Sequence, residues 1–160
     1  MAAAYSNFRN LWGTENFTNI TNGGVDETLA GGSNNNTYLF TYNATLASRT
    51  NDFGAMWNIF YQNINSLNGV LEFGPNANMD AAKKANLLGQ AKFLRAFCYY
   101  HLVTTFGDVP LNLGFITTPT VEASRQPIAE VYNAIIQDLT DAAAELPNTP
   151  IAGTGKPAFK

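Results

Sequence analysis

The segment from Ala81 to Phe106 constrains the fold most, because it is long, helical in pattern and apolar on nearly every side. Asp80 precedes it and can cap a helix N-terminus. At about 1.5 Å per residue, the helix would be about 39 Å long. From Leu87 onward the helix would be apolar nearly all round, which is typical of a helix surrounded by other helices. The sequence therefore predicts an all-α protein.

Three further segments have helical spacing of apolar residues. A short helix is predicted over residues 3–12, a longer one over 54–72, and a third from Pro127 to about Leu146. Proline suits the first helical position because its missing N–H would have no partner there. The helix predicted over 54–72 has an apolar stripe that comprises Trp57, Phe60, Tyr61, Ile64, Leu67 and Leu71. The helix predicted from Pro127 has an apolar stripe that comprises Ile128, Val131, Tyr132, Ile135, Leu139, Ala142 and Leu146.

Residues 14–52 are rich in Asn, Thr and Gly and predict a long N-terminal loop with little regular structure. A chain of 160 residues predicts a single domain, 1–160. Within it, 1–52 would form the first helix and the loop, 53–110 a helical hairpin, and 111–160 a loop and a further helix.

Composition argues against several classes of function. The net charge is −3 and there is no Lys/Arg cluster, so the sequence does not favour nucleic acid as a partner. Cys98 and His101 are the only residues of their types, and both lie in the apolar helix. We therefore expect no metal site, no cofactor and no catalytic residues, and a hydrolase is the least favoured reading.

One run in the loop has the chemistry of a sugar-binding surface. Between residues 34 and 43, amide side chains that donate and accept hydrogen bonds lie beside aromatic rings in the sequence. The candidate carbohydrate-binding residues are Asn34, Asn36, Tyr38 and Tyr42. The alternative is that these aromatic residues pack against the helices.

The long helix ends at a marked stop signal. Gly107 can adopt a positive φ, Asp108 can bind nearby backbone N–H groups, and Pro110 cannot continue a helix. Arg95, inside the apolar segment, needs partners for its permanent charge. We expect it to pair with a carboxylate such as Asp138 or with carbonyls at a helix end.

Three motifs together resemble the SusD/RagB family of outer-membrane nutrient-binding lipoproteins. They are "MWNIFYQNINSLNGVLE" (56–72), "AKFLRAFCYYHLVTTFGDVPL" (91–111) and "IAEVYNAIIQDLTDAAAELP" (128–147). The first two also follow the residue spacing of a tetratricopeptide (TPR) repeat. The resemblance implies TPR-like helical hairpins, with Arg95, Gly107, Asp108, Pro110 and Asp138 as structural signature positions.

The resemblance also implies a role. Family members bind polysaccharide or oligosaccharide at the cell surface, are anchored to the outer membrane by lipid, act with a SusC-type TonB-dependent transporter, and are not enzymes. Because family members continue well beyond this length, we read the chain as an N-terminal fragment that lacks signal peptide and anchor. We then expect helix 128–146 to be partly uncovered and to promote self-association. The alternative is a TPR-type protein-interaction scaffold that binds no sugar.

Overall fold

A computed structural model describes residues 1–12, 14–27, 38–43, 51–118 and 123–148. This part of the chain contains helices and no β-strand, as predicted for an all-α protein. The helices are α1 (Ala2–Trp12), α2 (Glu15–Asn22), α3 (Tyr38–Thr41), α4 (Asn51–Phe73), α5 (Ala81–Phe106) and α6 (Ile128–Glu145), with a 3-10 turn at Gly74–Asn76 after α4. None of the described helices is long and apolar enough to cross a membrane.

The three long helices lie where the apolar pattern predicts them. α5 has the predicted bounds, and the Asp80 carboxylate caps it by accepting a hydrogen bond from the Lys83 N–H at 3.0 Å. α6 begins one residue later than predicted, because Pro127 has an extended ψ of 146° and serves as the residue before the helix.

The stretch predicted to be irregular contains two helices. Thr14 caps α2, where its side chain accepts from the Phe17 N–H at 3.4 Å, and the Trp12 and Phe17 rings lie 4.6 Å apart. Asn and Thr are weak helix formers, which is why composition alone predicted a loop. Capping and burial of Phe17 outweigh that preference in α2, and Leu39 is buried in α3, so the prediction was wrong for residues 15–22 and 38–41.

The chain divides into two compact units whose boundary falls within α4. The N-terminal unit comprises Tyr5–Ile59, and its described core contains Leu11, Phe17, Leu39 and Met56. The helical unit comprises Met1–Ala4 and Phe60–Lys160. Its core is formed chiefly by α4, α5 and α6 and contains Phe60, Ile64, Leu67, Leu94, Cys98, Leu102, Val131 and Ile135. Each large side chain buried here stabilises the fold by about 1.5–3 kcal/mol.

α6 packs on α5 with one face and leaves a second apolar face open. Gly89 lets the helices approach, since a Cβ atom there would lie 3.0 Å from the Glu145 Cβ. Beside the buried face of α6, Ile128 is 45% exposed, Ile136 60% and Leu139 40%. The predicted apolar stripe is therefore only partly buried in the described structure.

Candidate functional site

Arg95 is buried in the helical unit, and its guanidinium makes four hydrogen bonds. Nε and Nη2 each donate to one carboxylate oxygen of Asp138 at 2.7 Å, which forms a two-pronged ion pair between α5 and α6. Nη1 donates to the Asn68 Oδ1 at 2.8 Å and to the Leu113 carbonyl at 3.2 Å. The structure thus pairs Arg95 with the carboxylate that the sequence offered as its partner.

A polar face of α4 holds the segment that follows α5. The Tyr61 hydroxyl donates to the Pro110 carbonyl at 2.7 Å. The Asn65 amide bonds Ile116 twice, donating to its carbonyl at 3.0 Å and accepting from its N–H at 2.8 Å. The Asn68 amide donates to the Asn112 and Gly114 carbonyls, both at 2.9 Å. α4 side chains therefore satisfy the backbone of residues 110–116.

Sequence reasoning missed this polar face. Tyr61, Asn65, Asn68 and Glu72 follow one another at intervals of four, three and four residues, which is itself helical spacing. Asn68 is only 2% exposed, so its amide must be bonded inside the protein. Asn residues repeated at helical spacing beside an apolar stripe were the signal that could have revealed it.

The sequence Gly-Asp-Val-Pro that ends α5 also forms hydrogen bonds with α4 and α6. Gly107 has φ 72° and ψ −127°, a conformation that glycine adopts readily and that turns the chain away from α5. We expected Asp108 to bond its own turn; instead its carboxylate accepts from the Ile128 N–H, 20 residues later, at 3.0 Å. Pro127 offers no side-chain cap, so Asp108 caps α6 from a distance. Pro110 in turn accepts from Tyr61 on α4.

Two of the candidate sugar-binding residues, Tyr38 and Tyr42, fall in the N-terminal unit. Asn34 and Asn36 lie outside the described residues. Tyr38 begins α3 and is half-buried, whereas Tyr42 directly follows α3 and is 67% exposed. The Tyr42 hydroxyl donates to the Gly24 carbonyl at 3.1 Å, and its backbone φ is 48°. A residue other than glycine holds that φ at a cost of about 1–2 kcal/mol. The hydrogen bond to Gly24 orients the exposed ring.

Comparison with known proteins assigns this arrangement to a family. A family profile described as "Starch-binding associating with outer membrane", of the SusD-like type, matches residues 6–157. The chain belongs to the SusD-like family. SusD-like protein P2 of Formosa agariphila is 36% identical over 109 residues, which cover 67% of this chain and 22% of that protein.

Solved structures of SusD-like proteins have the same fold. A laminarin-binding SusD-like protein has a TM-score of 0.75 at 25% identity, covering 97% of this chain and 36% of the other. Surface glycan-binding protein A from Bacteroides uniformis has a TM-score of 0.75 at 25% identity, covering 94% of this chain and 35% of the other. The chain thus spans about a fifth to a third of the length of these SusD-like relatives.

His101 lies among aromatic rings in this SusD-like fold. Its ring stacks on Phe60 with centroids 5.5 Å apart and meets Phe97 edge-on at 4.6 Å. Burial lowers the pKa of His101 below its usual 6.5, because the charged imidazolium loses hydration. The described residues contain no group of three or more His, Cys, Asp or Glu side chains placed to hold a metal ion.

We predict that Arg95→Met destabilises the protein by about 3–5 kcal/mol, because it leaves the Asp138 carboxylate buried and unpaired. The free energy of unfolding in urea measures the effect. Adding Asp138→Leu to Arg95→Met should recover part of the loss. Lys92→Met is the control: Lys92 pairs with Glu145 at 2.6 Å but is partly exposed, so its loss should cost less than about 1 kcal/mol. Unchanged stability in Arg95→Met would contradict the structural role.

A second prediction concerns acid stability. Because the pKa of His101 is lower in the folded than in the unfolded protein, unfolding takes up a proton between those two values. The contribution of neutral His101 to the stability of the fold is therefore complete above about pH 6.5 and is lost as the pH falls through the lowered pKa of the folded protein. The free energy of unfolding in urea should be measured for the wild type and for His101→Phe, which keeps the ring stacking. The difference in this free energy between the two proteins should change between pH 7.5 and 5. A difference independent of pH would refute the prediction.

Proposed function

We propose that this chain is part of a cell-surface protein that binds polysaccharide or oligosaccharide for nutrient uptake, without catalysing a reaction itself. The observation that carries the proposal is the SusD-like family match across residues 6–157. It is supported by similarity to structures described as a laminarin-binding SusD-like protein and as a surface glycan-binding protein. The low share of charged residues, 13%, agrees with a neutral, hydroxyl-rich ligand.

The same family membership supports a location and a partner. We propose that the whole protein is attached to the outer membrane by lipid and faces the cell exterior. There it would deliver glycan to a SusC-type TonB-dependent transporter. Co-purification with such a transporter from outer membranes tests the partnership, and recovery of the protein only from the soluble fraction would contradict the location.

Within the described residues, Tyr42 is our candidate contact for sugar. An exposed aromatic ring can stack on the C–H face of a sugar, and a ring already held in place loses little conformational freedom on binding. The Tyr42 side chain meets these conditions because it is exposed yet bonded to Gly24. Tyr38 is half-buried and would contribute less.

Affinity electrophoresis against a panel of polysaccharides that includes laminarin tests both parts of the proposal. We expect retardation by at least one glycan, and Tyr42→Ala should weaken it about 3- to 10-fold, from a stacking contribution of about 0.5–1.5 kcal/mol. Tyr100→Ala is the control, because Tyr100 is 49% exposed but lies on α5 in the helical unit. No retardation by any glycan would refute sugar binding; equal retardation of both variants would refute only the assignment to Tyr42.

The open face of α6 supports a second function, protein–protein contact of the kind made by helical-repeat scaffolds. We predict that the chain self-associates through this face, since Ile128, Ile136 and Leu139 expose apolar surface side by side. Ile136→Glu should shift sedimentation towards the monomer. Ala144→Glu adds the same charge to another exposed face of α6 and should not. A wild-type chain that sediments as a monomer at all concentrations would contradict the prediction.

A further inference from the structure

An apolar groove of about 520 Å³ opens in the helical unit, whereas the candidate sugar contacts belong to the N-terminal unit. It lies between the end of α4, the start of α5 and the segment after α5. Its walls include Val70, Phe73, Met79, Leu87, Leu88 and Phe115. Phe73 is 58% and Met79 41% exposed, so large apolar side chains stand at its surface. A groove of this size is typical of a binding site for a small organic molecule.

The groove is preformed by the hydrogen bonds described above. The Phe115 ring lies over Gly69, where a Cβ atom would come within 3.2 Å of it, and it meets Phe73 edge-on at 5.7 Å. The residue that follows, Ile116, is held by both bonds of the Asn65 amide. One wall therefore stays in place without a ligand, which lowers the cost of ordering it on binding.

Lys84 has the only charged side chain among the described residues that line the groove. Its ammonium donates one hydrogen bond, to the Pro75 carbonyl at 2.8 Å, and an ammonium has three protons to donate. The described ion pairs involve Lys92 and Arg95 and do not include Lys84. A cationic side chain beside an apolar surface is complementary to a molecule with an apolar body and an anionic end.

We propose that this groove binds one aliphatic chain that ends in a carboxylate, with the chain along Val70, Phe73 and Leu87 and the carboxylate at the Lys84 ammonium. Sugars fit poorly, because their hydroxyl groups would find few partners among these side chains. A cationic amphiphile would be repelled by Lys84. The site is separate from the proposed glycan contact, so each can fail without the other.

Calorimetric titration of the chain with straight-chain carboxylates of eight, ten and twelve carbons tests the proposal. We expect saturable one-to-one binding that strengthens about fourfold for each added methylene until the groove is full. The twelve-carbon alcohol should bind roughly tenfold more weakly than the acid, because it cannot form the charge-assisted bond. The absence of saturable binding, or equal binding of dodecyltrimethylammonium, would overturn the proposal.

Substitutions at two neighbouring lysines test where the carboxylate of the ligand binds. Lys84→Gln should remove the tenfold preference for acid over alcohol. Lys83→Gln loses the same charge one residue away, outside the groove lining, and should keep the preference. If Lys84→Gln unfolds, Lys84→Arg decides, because it retains the charge and should retain the preference. Equal preferences in the two Gln variants would overturn the assignment of Lys84.

A substitution at an exposed position tests where the aliphatic chain of the ligand binds, because a change there should not disturb folding. Phe73→Glu should weaken binding of the twelve-carbon acid at least tenfold, whereas Ile136→Glu, on the open face of α6, should leave it unchanged. Equal effects of these two changes would overturn the proposal. If a second copy of the chain fills the groove instead, Phe73→Glu alters sedimentation and the wild type shows no binding of the acid, which also overturns it.

Discussion

The buried charge of Arg95 is the constraint on which the helical unit depends. A guanidinium cannot lose its proton inside a protein, so its N–H groups must find acceptors on the elements around it. Asp138 on α6 supplies the opposite charge, Asn68 on α4 an amide oxygen, and Leu113 a carbonyl. These partners are far apart in sequence, so the guanidinium fixes α4, α5 and α6 at one mutual arrangement. Apolar packing alone would tolerate small shifts between helices, whereas these bonds would not.

Asn68 extends the influence of Arg95 to the chain segment after α5. Its oxygen accepts from Arg95 while its nitrogen donates to the Asn112 and Gly114 carbonyls. Tyr99 on α5 also stabilises this segment, because its hydroxyl donates to the Asn112 carbonyl at 2.8 Å. Burial raises the pKa of Tyr99 well above its usual value, so this hydroxyl keeps its proton as a donor. A segment without helix or strand hydrogen bonds is thus satisfied by side chains of α4 and α5.

The sequence predicted those features that depend on local pattern. The bounds of α5, the Asp80 cap and the acidic partner of Arg95 follow from periodicity, capping chemistry and charge. The spacing of the polar side chains on α4 indicates a polar face, but their partners could not be predicted, because most are backbone carbonyls, which every residue possesses. The partner of Asp108 was missed for a related reason, since the free N–H of Ile128 comes close only after α5 and α6 have packed. At the candidate sugar site, the exposure of Tyr42 depends on tertiary structure that a loop-like sequence does not reveal.

The two candidate ligand surfaces differ in how the fold supports them. Arg95 bonds Asn68, and Asn68 bonds the segment that carries Phe115, which forms one wall of the groove. The shape of the groove therefore depends on interactions buried elsewhere in the helical unit. Tyr42 is held locally, by one hydrogen bond to Gly24 and by its own backbone conformation. A single exposed hydrogen bond contributes only about 0.5–1.5 kcal/mol, so this support is weak beside a buried ion pair whose disruption costs about 3–5 kcal/mol. Arg95 and Asp138 therefore hold the framework, whereas the two candidate ligand surfaces are formed by other side chains.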